Sequence, residues 1–320
     1  MNDAVPTQST EAPVEAILRD ELAHGDVVLG TIGPVLGHLL ANHDHSLFSD
    51  EIVSRVRGMV GDLARQMLTA QAEAAEEGDP RALADRHQAS LTSVLLTAER
   101  LVAHCHALAL EWQLTARLEA RSAIDPVLSP LLQALIASDD ASTASTAMAA
   151  LAAQARFVQR QRRMELPLGE LPADHFHQAL ALWLERVEPA EAKAATQAAI
   201  KLRDEYDESA GRLGLLARLV HTMGAGALAA LSISHAGTAI FLSSLAASSQ
   251  QDRDTTVIAT NDRQLARLAL SLRSAGLKPK AIEEQFLTIH PDAALPEGFE
   301  SLRAERAQAL LAGSMRVSGG

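Results

Sequence analysis

One cysteine, Cys105, occurs in the 320 residues. No intramolecular disulfide can form, and the multi-cysteine zinc and iron–sulfur patterns are excluded. Aromatic residues make up only 3% of the chain, too few for the stacking platforms that hold single-stranded nucleic acid or for aromatic-lined sugar sites. Positive charge is also in deficit: 28 Lys plus Arg stand against 40 Asp plus Glu, a formal net charge of −12. Nucleic-acid binding, which relies on neutralising phosphates, is therefore not expected. Period-2 alternation over a strand length is nearly absent. Long apolar runs are missing too. The longest uncharged stretch, Leu219 to Gln251, is interrupted by His221, His235, glycines, serines and threonines. It reads as buried helices in close backbone approach rather than as a bilayer span of about 20 apolar residues. The opening MNDAVPTQST has neither the basic region nor the apolar core of a secretory signal, and the expected location is cytoplasmic.

What the sequence does have is apolar periodicity near 3.6, so the expected class is all-α. From Ser49 to about Glu77, residues Ile52, Val56, Met59, Val60, Leu63 and Met67 fall on one face. Ser49 is placed as N-cap, Asp50 and Glu51 suit the positive end of the dipole, and Gly78 sits at the stop. Asp79-Pro80 restarts a helix that reads through to about Ala120, with the seam Leu91, Val94, Ala98, Leu101, Cys105, Leu108 and Trp112. Asp125-Pro126 and Glu188-Pro189 repeat the start signal, and this spacing is that of helical-hairpin arrays. The architecture expected is a multi-helix bundle or a HEAT-like stack of hairpins in two lobes. Residues 1–12 form a flexible tail, 13–163 the first lobe, 164–172 (MELPLGELP) a linker and 173–316 the second lobe. A longer helix is expected from Pro189 to about Leu219. Thr255 to Asp262 is the one stretch resembling a strand, and it is read as a short extended link into a helix capped near Asn261.

Candidate chemistry is sparse. Three His-x-His pairs occur: His43 with His45, His104 with His106, and His175 with His177. Two residues apart on a helix lie about 200° around the axis, so neither helical pair can converge on one ion. His43 and His45, in a loop beside Asp44, are the weak metal candidates, and the solvated-loop reading outweighs them. Glu21-Leu22-Ala23-His24 is a single Glu-x-x-His without the second copy that a two-metal bundle needs. Gly224-Ala225-Gly226-Ala227-Leu228-Ala229 matches a dinucleotide turn in letters but lacks the βαβ context. No nucleophile elbow is present, and Cys105 lies in an apolar seam. Neither a cofactor nor a catalytic residue is assigned.

The most informative feature is electrostatic. On a helix beginning near Ser142, Met148, Leu151, Ala155 and Val158 are taken as the apolar face, and Arg156, Arg160 and Arg163 share a narrow arc elsewhere. In an acidic protein this strip is the expected site for an acidic segment of a partner, or for another anion, through forked hydrogen bonds. The competing reading is that these arginines complement the helix dipole and pair with neighbouring glutamates. The function expected is thus a non-enzymatic helical adaptor or regulatory scaffold that binds another protein. The alternative is a metal- or cofactor-dependent helical enzyme built on His24, His43, His45 and carboxylates. Homo-oligomerisation is left open. The preference for arginine over lysine and the abundance of alanine point to a bacterial genome of high GC content.

Overall fold

The structure, a computed structural model, describes residues 13–41, 49–75 and 80–317. His43, His45 and the tail before Pro13 lie outside them. Among the described residues every regular element is helical and there is no strand. The helices are α1 (Pro13–Ala41), α2 (Asp50–Ala74), α3 (Pro80–Leu95), α4 (Glu99–Ser122), α5 (Pro130–Ile136), α6 (Ala141–Arg162), α7 (Ala173–Leu184), α8 (Ala192–Glu205), α9 (Arg212–Thr222), α10 (Ile233–Ser249), α11 (Arg253–Ile258), α12 (Leu265–Ser274), α13 (Pro279–Ile289) and α14 (Ala304–Val317), with short 3-10 turns between several of them.

Two helices are buried nearly all round and organise the rest. In α4, residues 104–111 are all buried; in α10, residues 236–246 are. A helix without a polar face belongs in the middle of a bundle. Around this pair, α1 packs against α4, α12 and α14, and α2 packs against α3, α4 and α8. An open stack joins only sequence neighbours, whereas here α1 meets helices from the other end of the chain, as a bundle requires. No helix among the described residues is long and apolar enough to cross a membrane. The uncharged Leu219–Gln251 stretch instead supplies α10 at the centre of the core. Its small residues permit close approach. Gly237 breaks the first turn with φ 71°, and a side chain there would begin 3.0 Å from Ser129 Cβ.

Local chemistry accounts for where the helices begin and end. Ser49 caps α2 by accepting from the Ile52 N–H, and the face running from Ile52 to Met67 is buried as the periodicity requires. The seam of the next helix does not run through. It breaks at residues 96–98, where the Thr97 hydroxyl donates to the Val94 carbonyl at 2.7 Å and takes over a bond that would continue the helix. Asp125-Pro126 starts a turn and not a helix. The Asp125 carboxylate accepts from the N–H groups of Val127 and Leu128, and α5 begins only at Pro130 under a Ser129 cap. The long helix expected after Pro189 is divided at residues 206–211, where Tyr206 turns inward and stacks on Phe176 with ring centroids 4.0 Å apart. The strand-like Thr255 segment is helical: Asp252 caps α11 by accepting from the Thr255 N–H.

The segment expected as a linker, 164–172, carries Leu166, Leu168 and Leu171 into the same contiguous core that includes α2, α4, α7 and α10. The Asp62 carboxylate accepts from the Leu166 N–H at 3.0 Å, and the Gln66 amide bonds both Leu166 and Leu168. Met164, at φ 57°, sits against Gly58 of α2; a Cβ on that glycine would lie 2.6 Å from Met164 Cβ.

Candidate functional site

Two polar features stand out, one on the surface and one inside. The surface feature is a groove of about 1120 Å³ between α2, α3 and the residues that follow α6. Ser54, Gly58, Gly61 and Arg65 recur along one stripe of α2, opposite its buried face; Met164 packs on Gly58, and the Gln88 amide of α3 donates to the Gly61 carbonyl at 3.1 Å. Asp85 and Thr92 stand on the α3 wall, and Arg163 closes the groove at the end of α6.

The apolar face of α6 differs from the one expected. Ala147, Ala150, Ala153, Phe157 and Val158 are buried, while Met148 is 52% exposed. Alanines let α6 lie close to its neighbours, so the contact face follows the small residues rather than the large ones. The arginines remain together on the outer side. Arg160 approaches Glu165 only at 4.0 Å. Arg156 and Arg163 are exposed, and their side chains make no hydrogen bond or ion pair among the described residues. Of the other basic residues in the groove, Arg65 pairs with Asp62 and Arg57 is also engaged.

The interior feature lies on one face of α4. His104 and Glu111 are seven residues apart, which brings them back to the same side about 10 Å apart along the axis. Both meet the start of α11, whose adjacent Arg253 and Asp254 reach them. Glu111 is fully buried and accepts from two guanidinium groups: Arg212 at 2.8 and 2.9 Å, and Arg253 at 2.9 and 3.0 Å. Burial alone would raise the Glu111 pKa, but the two guanidinium charges outweigh it and hold the carboxyl well below the usual carboxylate range. Arg212 also bonds Gln154 at 3.2 Å and lies 3.7 Å from the Phe157 ring centroid. Arg253 also donates to Ser243 at 3.1 Å.

Near the start of α4, His104 Nδ1 lies 2.7 Å from Asp254 Oδ2, and the His175 ring of α7 is 5.1 Å from the His104 ring between centroids. The two helical His-x-His pairs behave as helix geometry demands within each pair. His177 turns away to the Phe176 and Tyr206 rings, and His106 is buried with its pKa pushed down to about 4 by desolvation. Cys105, between the two histidines, is buried and pushed up to about 12 by burial and by the Asp254 charge, which leaves its thiol protonated and inert. His24 lies exposed on α1. Gly224–Leu231 forms a 3-10 turn rather than the start of a phosphate-binding helix.

Glu111, Arg212, Arg253 and Asp254 did not emerge from the sequence. One signal was available: Glu111 lies three residues from both Leu108 and Leu114, a charged residue set among apolar positions of a helical face. Comparison with known protein families, curated proteins and solved structures finds no match to this chain.

Proposed function

We propose that the protein is a non-enzymatic helical adaptor whose groove, bounded by α2, α3 and the end of α6, receives an acidic segment of a partner protein. The single observation that supports this reading is that Arg156 and Arg163 are exposed and unpaired on a protein of net charge −12, with Arg163 at the edge of the groove. An internal role for the strip, as partners for the protein's own glutamates, has only the 4.0 Å approach of Arg160 to Glu165 behind it. Guanidinium groups with free forks are suited to carboxylates. Asp85 lies on the opposite wall, so the partner's carboxylates face α6.

The test is affinity purification of the full chain under native conditions from the source cell, in parallel with an Arg156→Glu/Arg163→Glu variant. Proteins retained by the wild type and lost from the variant, carrying an acidic segment that binds the groove as an isolated peptide, are the expected result. Identical recovery by both chains contradicts the proposal.

A further inference from the structure

Side chains from three helices converge at the start of α4. His104, His175 of α7 and Asp254 of α11 each offer one ligand atom, and these atoms all lie within 4.8 Å of one another. The arrangement joins one histidine from each of two His-x-His pairs, so helix geometry does not forbid it.

His104 is 1% exposed, and its Nδ1 is held by the Asp254 carboxylate. His104 Nδ1 and Asp254 Oδ2 face each other 2.7 Å apart, so an ion bound by both takes the place of the proton they share and releases it. His175 and Asp254 are only partly buried, so an ion has a route in from solvent and water can complete its coordination.

We propose that His104, His175 and Asp254 form a mononuclear site for a divalent transition-metal ion. Two imidazoles and one carboxylate suit Zn²⁺, Co²⁺, Ni²⁺ or Fe²⁺; Ca²⁺ and Mg²⁺ prefer oxygen-only shells. Three protein ligands leave at least one position for water. The bound ion ties α4, α7 and α11 together. This inference is independent of the groove.

The experiment uses the full chain, produced without a metal-affinity tag and stripped with chelator. Zn²⁺ is titrated by calorimetry and Co²⁺ by visible absorption. The expected result is one equivalent of either metal per chain, with Co²⁺ ligand-field bands and a rise in melting temperature on Zn²⁺ addition. His175→Gln and Asp254→Asn, both at partly exposed positions, are expected to bind at least about tenfold more weakly and to melt like the wild type without metal. If a variant's metal-free melt is lowered, its binding is compared at a temperature where circular dichroism shows it fully folded. The proposal is overturned if the wild type binds neither metal more tightly than about 100 µM, or if both variants bind as the wild type does.

Discussion

The arginines inside the protein and those on the outer side of α6 are used in opposite ways. Arg212 and Arg253 share Glu111, and Arg267 donates to Asp26, Gln251 and Ser314 while joining α1, α12 and α14. Each of these three guanidinium groups is paired with a carboxylate, although Arg267 Nε is buried without a partner among the described residues; an unpaired charge there would cost several kcal/mol. Arg156 and Arg163 meet no such demand, since water solvates them and the fold asks nothing of their forks. The interior guanidinium groups are bonded to oxygens of the fold, and those of Arg156 and Arg163 face solvent.

The comparison can be broken most forcefully from inside. Leu101 is 0% exposed on α4, and Leu101→Asp places a charge in the same helix with no guanidinium to receive it. A loss above about 4 kcal/mol is expected, read by chemical denaturation; a loss below about 1 kcal/mol would mean α4 is not central. Glu111→Gln comes next. It removes the shared charge and leaves Arg212 and Arg253 buried without a counter-ion, with an expected cost of about 3–5 kcal/mol. Replacing all three with Glu111→Leu, Arg212→Met and Arg253→Met is expected to recover most of that loss. A triple variant as unstable as the single one would show that the cost lies elsewhere.

A smaller effect is expected at His290, whose Nε2 lies 2.8 Å from the Thr260 carbonyl oxygen. Burial first, and the nearby Arg117 and Arg121 with it, hold its pKa below the ordinary value of 6.5 despite the opposing pull of Asp262. The folded state therefore binds fewer protons than the unfolded state as pH falls from about 6.5 towards the lowered value. Stability is present above that window and is lost through it. His290→Asn is expected to flatten the pH dependence of the melting temperature over this range; an unchanged slope would count against the assignment. The smallest effect belongs to the surface: Arg156→Glu/Arg163→Glu is expected to alter stability by no more than about 0.5 kcal/mol. A much larger loss would mean that the strip serves the fold.

The all-helical class and the core face of α2 were legible because apolar residues recur at helical spacing and stop at capping or breaking residues. The division between α3 and α4 was not, since neither proline nor glycine marks it and the break is made by the Thr97 hydroxyl. The face of α6 was misjudged for a related reason, as periodicity weights large side chains while this helix buries alanine. Arg156, Arg160 and Arg163 could be read as a cluster because they lie within two turns of one helix. The Glu111 ion pairs and the His104, His175 and Asp254 cluster could not, because their members lie far apart along the chain and meet only when α4, α7, α9 and α11 have packed.

The most direct test of the account replaces Thr92, on the α3 wall of the groove, with a photoreactive amino acid and irradiates the full chain in extract from its source cell. A cross-link to a carboxylate-rich stretch of another protein, abolished when Arg163→Glu is added, is the predicted outcome. Labelling that is absent, or that persists unchanged in the presence of Arg163→Glu, would contradict it.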